Sequence, residues 1–294
     1  MKKNFLRKMF CSLVLAATVL TANAADRLLI VGEAVWGGWS IDNSIVMFNS
    51  TENPDVFKAT VNLNANGTFK FLTTTEWRKL EYRAGDNDVT LAEGVASPLV
   101  SSEENSNEKK FKVRETANYD IVCDLAAKTI IVNKAAYQDD ELKHTALWLV
   151  GSATTGGWEL GKATMILPSD DNPMVFRGTV DLLEGEMKIA VNKYTGYGQT
   201  FYQRDAADDT KMTFGGDDNK WNISKAGQYD VEADVKNLTI SIVEHVANGI
   251  TNMATTANAT ADYFTLSGVR LSAPAKGICI KRQGNRVVKT INRK

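Results

Sequence analysis

The sequence predicts an all-β protein: two tandem immunoglobulin-like β-sandwich modules followed by a short C-terminal β segment. Three observations carry this reading. One distinctive stretch occurs twice, the segments after each copy alternate apolar and polar residues with a period of two, and neither copy is followed by a helical pattern of useful length. At 294 residues the chain is also too long for one ordinary domain.

The repeated stretch is clearest in its second copy, Leu147-Trp148-Leu149-Val150-Gly151, four variable residues, then Gly156-Gly157-Trp158. The first copy runs Leu28-Leu29-Ile30-Val31-Gly32, then Gly37-Gly38-Trp39 after the same gap. An apolar run closed by Gly reads as a buried strand entering a turn. The Gly pair then delivers one flat indole at the same place in both copies.

Gly32 and Gly151 are 119 residues apart, and Trp39/Trp158, Asn53/Asn172 and Phe57/Phe176 keep that offset. Late in each unit the offset becomes 110, matching Tyr119-Asp120 with Tyr229-Asp230 and Thr129 with Thr239. The difference is absorbed by a longer Ser/Glu/Asn-rich loop at 96–109 of the first copy. Similar ends around a variable loop describe two homologous domains, not a solenoid.

Within each unit, Val56–Leu63 and Val175–Leu182 alternate as strands, a turn and a further strand follow, and a hairpin-like pair closes the unit. Residues 27–134 and 146–246 are thus the two modules, and the polar segment 135–145 reads as a linker. Residues 247–261, rich in Thr, Asn and Ala, read as a flexible tether. Residues 262–294 form the short C-terminal segment, too few to build an independent core.

The first 24 residues read as a secretory signal peptide: a basic start at Lys2-Lys3, an apolar run from Phe10 to Leu20, and the cleavage pattern Ala22-Asn23-Ala24. Cys11 sits inside that apolar run and is expected to leave with it. The remaining cysteines, Cys123 and Cys279, lie in separate units and read as independent buried thiols. No other stretch approaches the apolar length of a membrane span. The balance of 34 Lys+Arg against 35 Asp+Glu gives no reason to expect nucleic acid or an anionic membrane surface as partner.

Catalytic and metal constellations are not readable. After the signal peptide the only histidines are His144 and His245, no spacing suits zinc, and the acidic pairs Asp170-Asp171, Asp208-Asp209 and Asp217-Asp218 fall in loop-like stretches. The chain is therefore expected to be non-catalytic and to need no cofactor or metal. The aromatic residues point elsewhere. A sugar ring offers an apolar C–H face and a rim of hydroxyls, so its binding site pairs a flat aromatic platform with polar side chains that reach the rim. In the first module the candidates are Trp39, Lys70, Trp77 and Arg83, with Trp36 and Arg78 nearby. In the second they are Trp158, Lys188, Tyr194, Tyr197 and Arg204, with Lys193 nearby. A lone strand Lys ordinarily points to solvent and a lone Trp ordinarily belongs to a core. The recurrence of Trp, Lys and a later aromatic in both copies is what favours a platform.

Leu149-Val150-Gly151, Gly156-Gly157-Trp158, Phe176-Arg177-Gly178, the Lys188 strand and Gly227-Gln228-Tyr229-Asp230-Val231 resemble the SusE/SusF family of starch-binding outer-membrane proteins of Gram-negative gut bacteria. The resemblance covers about residues 27–133 and 146–244. It implies a cell-surface or extracellular protein that holds starch-like α-glucan, with other outer-membrane glycan-uptake proteins as partners. A looser likeness to other starch-binding sandwiches implies one site of Trp39, Lys70 and Trp77 and another of Trp158, Lys188 and Tyr194. Two features depart from the family: no lipobox precedes Cys11, and the segment from Tyr263 resembles the C-terminal sorting domains of secreted proteins. The alternative is a structural or adhesive surface protein that keeps the sandwich and has no sugar site.

Overall fold

The computed structural model describes residues 26–246, 262–265, 270–271, 273, 277–283 and 286–292. The expected signal peptide with Cys11 and the expected tether over 247–261 lie outside the described residues. Contacts divide the chain into one compact unit ending at His245 and a second beginning at Val246.

In the first repeat the strands are β1 (Arg27–Val31), β2 (Ile45–Asn49), β3 (Val56–Leu63), β4 (Lys70–Leu72), β5 (Glu81–Arg83), β6 (Val89–Thr90), β7 (Ser97–Pro98), β8 (Val100–Ser101), β9 (Phe111–Lys112), β10 (Ala117–Asp124) and β11 (Thr129–Lys134). The second repeat contains β12 (Leu147–Val150), β13 (Thr164–Pro168), β14 (Val175–Leu182), β15 (Gly185–Ala190), β16 (Phe201–Arg204), β17 (Met212–Phe214), β18 (Trp221–Ile223), β19 (Gly227–Asp234) and β20 (Thr239–Glu244). One 3-10 turn, Leu160–Lys162, is the only helical element among the described residues. The all-β reading holds.

The strand order β11-β10-β3-β2-β1-β4-β5 of the first repeat recurs as β20-β19-β14-β13-β12-β15-β16 in the second. Duplication therefore extends from sequence to topology. Each sheet folds over its own core. Leu28, Ile30, Met47, Phe57, Phe71, Ile121 and Ile130 meet in the first, and Leu147, Leu149, Phe176, Ile189, Val231 and Ile240 in the second. The Tyr119 hydroxyl donates to the Glu115 carbonyl at 2.9 Å, and the Tyr229 hydroxyl to the Lys225 carbonyl at 2.8 Å. Both match the tyrosine corner of immunoglobulin-like sandwiches, and they explain why the late sequence match begins at a Tyr.

The apolar runs that open each repeat do not alternate, because both their faces are buried. Leu28 and Ile30 face the first core, while Leu29 and Val31 face outward with Val46 and Leu72. There they meet Trp148, Val150, Ala190 and Phe201 of the second repeat in a shared apolar seam. Hydrogen bonds cross the same seam: the Asn192 amide donates to the Ser44 carbonyl at 3.1 Å, the Thr200 N–H to Asn43 Oδ1 at 2.8 Å, and the Thr145 hydroxyl to the Val46 carbonyl at 2.6 Å. The two repeats form one packed body. Residues 135–145 are tied into it: the Gln138 side chain bonds both the N–H and the carbonyl of Asn118, and Leu142 and His144 are buried.

Trp36 belongs to this junction, with its indole N–H on the Lys143 carbonyl at 2.7 Å and its ring edge-on to His144 and Phe214. The His144 imidazole, bonded to the Tyr202 hydroxyl at 3.0 Å, has its pKa lowered to about 3, chiefly because burial disfavours the charged ring.

In the second unit, β21 (Asp262–Phe264), β22 (Arg270–Leu271), β23 (Gly277–Gln283) and β24 (Arg286–Asn292) form an antiparallel sheet in the order β22-β21-β23-β24, with Cys279 buried. Cys123 and Cys279 are both free thiols.

Candidate functional site

The repeated glycines shape the loop that carries each tryptophan. Gly32 has φ +142°, and a Cβ there would fall 2.0 Å from the Thr68 carbonyl oxygen; Gly151 has φ +147° and the same conflict, at 2.1 Å, with Glu186. The Gly32 N–H closes the loop on the Gly38 carbonyl and the Gly151 N–H on the Gly157 carbonyl, both at 2.9 Å. Only glycine passes so close to a neighbouring strand at such a φ. The result is a fixed launch point for Trp39 and for Trp158.

In the first repeat these rings open onto a cleft of about 430 Å³ lined by Glu33, Trp39, Thr68, Lys70, Trp77, Arg78, Glu108 and Lys110. Trp39 and Trp77 stand 6.4 Å apart between ring centroids, tilted by 54°, and Trp77 is 43% exposed. Trp77 lies outside the packed cores, while the half-buried Trp39 also packs against the seam. Lys70 forms the floor, its ammonium 2.6 Å from Glu81 Oε2 and 5.5 Å from the Trp77 centroid. Lys110 covers the other ring, 5.5 Å from the Trp39 centroid. Glu33 accepts hydrogen bonds from the Trp39 indole N–H and, at 3.0 Å, from the Thr68 hydroxyl. Those donors, Trp39 foremost, hold the Glu33 carboxyl below its usual pKa.

Arg83 is buried behind this floor. Its guanidinium lies 3.5 Å from Glu81 Oε2 and donates to the Asn105 carbonyl at 3.2 Å. It supports the site from beneath and does not reach the rim. Arg78 lies at the opening with φ +64°, a conformation disfavoured for a side chain of its size, and its N–H is held by Glu81 Oε1 at 3.2 Å.

The second repeat builds the same arrangement from Trp158, Lys188, Tyr197 and Lys220. Trp158 is 38% and Tyr197 49% exposed. The Tyr197 hydroxyl donates to the Trp158 carbonyl, and its ring stacks on Phe201 at 5.6 Å. Lys188 Nζ lies 5.3 Å from the Tyr197 centroid, as Lys70 does from Trp77, so Tyr197 is the counterpart of Trp77. Tyr194 is not. Its half-buried ring lies under the Arg27 guanidinium at 4.0 Å and packs on the seam. Arg204 braces the site from the side, donating to the Lys220 carbonyl at 2.9 Å and to Asp209 at 2.8 Å.

Two lysines were not singled out from the sequence. Lys220 lies 5.8 Å from the Trp158 centroid, matching Lys110 over Trp39. The pair keeps the late offset of 110 residues, as do Glu108 and Asp218, so the repeat itself held the signal. The floors differ. Leu72 pairs with Glu81 in the first repeat, while the equivalent Ala190 pairs with Phe201 in the second. Lys188 accordingly sits 3.9 Å over the Phe201 ring and turns to Asp218 at 2.8 Å. Lys188, more than any other neighbour, keeps the Asp218 carboxyl below its usual pKa.

Among the described residues no group of three or more His, Cys, Asp or Glu is placed to hold a metal ion, and no helix is long and apolar enough to cross a membrane. Both sites can offer aromatic faces with ammonium donors beside them.

No protein-family profile matches the chain, and no curated protein matches it. Among solved structures it is similar to SusF from Bacteroides thetaiotaomicron at 14% identity and a TM-score of 0.30, over 87% of this chain and 56% of that one. The chain thus spans little more than half of that protein's length.

Proposed function

We propose that this protein is a non-catalytic carbohydrate-binding protein, exported to the outer membrane or cell surface, that holds starch-like α-glucan through one aromatic site in each of two homologous modules. One observation carries the reading: a Trp, a strand Lys, a second aromatic and a rim Lys meet in the first repeat and meet again in the second. Trp77, Trp158 and Tyr197 are exposed and Trp39 half-exposed, so a sugar's C–H face can stack on them, with Lys110 and Lys220 beside the tryptophans to meet its hydroxyls. A structural protein of the same fold would have no use for the same aromatic and basic constellation twice. The α-glucan assignment and the surface location rest on the family resemblance of the repeat.

The test is retention on insoluble starch by wild type and by the Trp39→Ala/Trp158→Ala variant, with far-UV circular dichroism confirming the fold of both. Retention is expected to disappear in the variant. A folded variant retained as well as wild type would leave the structural or adhesive reading standing.

A further inference from the structure

The two sites treat their buried lysine differently, and the difference bears on ligand charge. In the first, Lys70 is committed to Glu81, whose carboxylate is as buried as the ammonium it holds. Glu33 and Glu108 add two more carboxylates at the opening. In the second, the residue under the lysine is the neutral Phe201, and the position of Glu33 is taken by Ser152, which bonds the Glu186 N–H at 2.9 Å. The carboxylate paired with the lysines there is Asp218, and its side chain is 60% exposed.

The Asp218 carboxylate bridges two ammoniums, with Oδ1 2.8 Å from Lys188 Nζ and Oδ2 2.9 Å from Lys220 Nζ. It does so beside Trp158, over which Lys220 lies, and Tyr197, over which Lys188 lies. Lys188 is 8% and Lys220 23% exposed, whereas Asp218 faces solvent, so the carboxylate is the partner that can be exchanged for another while the two ammoniums stay in place. Lys188 keeps its cradle on Phe201 when Asp218 moves away. The two lysines then present a fork for one carboxylate, next to two exposed rings.

We infer that the second site also accepts a glycan bearing a carboxylate, a uronic-acid unit, whose acid group replaces Asp218 between Lys188 and Lys220. The inference rests on reading the platforms as sugar sites, and goes beyond α-glucan. The first site does not share this property, because the charge of Lys70 is already matched from behind by a carboxylate that cannot leave.

Titration calorimetry of the full chain with tri-galacturonate, and separately with maltotriose, tests it. Tri-galacturonate is expected to bind once per chain, to bind unchanged in Trp39→Ala, and to weaken several-fold as NaCl rises toward molar concentration. Asp218→Asn, at an exposed position, is expected to strengthen tri-galacturonate binding several-fold, and Lys188→Met/Lys220→Met to abolish it. No binding to wild type, or an Asp218→Asn variant that binds no tighter, overturns the inference. Maltotriose binding without tri-galacturonate binding overturns it and leaves the α-glucan proposal intact. Tri-galacturonate binding without maltotriose binding supports it and overturns the α-glucan proposal.

Discussion

Lys70 and Glu81 form an ion pair of 2.6 Å whose side chains are 5% and 3% exposed, directly beneath the Trp39–Trp77 cleft. Glu81 also holds the Arg78 N–H and approaches Arg83, so one buried carboxylate ties together the floor, the loop bearing Trp77 and the cation behind. Removing one partner of such a pair leaves a buried charge with poor compensation, which typically costs about 3–5 kcal/mol.

Glu81→Gln is therefore expected to lower the urea midpoint by an amount corresponding to about 3–5 kcal/mol. Replacing both partners by apolar residues, Lys70→Met/Glu81→Leu, should recover much of that loss while leaving the first site without its lysine. Equal midpoints for wild type and Glu81→Gln would contradict the buried pair.

His144 gives a dependence on pH whose sign is fixed. Its folded pKa is lowered to about 3, against 6.5 for the free ring, so between these values the unfolded chain binds a proton that the folded chain does not. Stability from this group is complete above pH 6.5 and falls as pH drops toward 3, by about 1.4 kcal/mol per pH unit. The carboxyls of Glu33 and Asp218, lowered by their partners, lose stability on acidification too. Denaturation of wild type and His144→Phe across pH 7 to 4 isolates the histidine. The variant should show a visibly shallower fall, and parallel curves would contradict a neutral buried ring.

The glycines of the repeated stretch should differ sharply in tolerance. At Gly32 a Cβ meets the Thr68 carbonyl at 2.0 Å, whereas at Gly38, with φ +59°, nothing lies within 4 Å. Gly38→Ala is expected to cost about 1–2 kcal/mol, the penalty of a left-handed residue. Gly32→Ala must displace backbone and is expected to cost more than that, or to prevent soluble expression. Comparable thermal midpoints for the two variants would be inconsistent with the tight crossing.

Lys110 and Lys220 contribute through part-exposed cation–π contacts, worth about 0.5–1 kcal/mol each. Lys110→Ala and Lys220→Ala should leave thermal stability within the usual range of a surface change while weakening maltooligosaccharide binding a few-fold at the site concerned. Calorimetry of each variant in a background lacking the opposite tryptophan, Trp158→Ala or Trp39→Ala, reads the two sites separately.

Much of the architecture was legible in the chain because its signals are local. Period-two alternation in Val56–Leu63 and Val175–Leu182 became β3 and β14, and the recurrence of Gly-Gly-Trp announced two equivalent repeats. The residues that would make a platform, Trp39, Lys70 and Trp77, were also readable, and the fold brings them to one cleft. Their surroundings were not readable. Whether Arg83 reaches the rim or lies behind it, and whether Tyr194 or Tyr197 faces Lys188, depends on how a loop folds back over a sheet. No local pattern encodes that.

The sequence by itself determined that this is an all-β chain with a duplicated strand order and a recurring set of aromatic and basic residues, because strand alternation and internal repetition are written residue by residue. Tertiary structure alone decided that the repeats share an apolar seam. The same structure buries the Lys70 charge on Glu81 and rests Lys188 on Phe201, and it places Lys110 and Lys220 over the tryptophans. These contacts join residues from about ten to more than one hundred positions apart, and only the pairing of strands and the packing of sheets sets which of them meet.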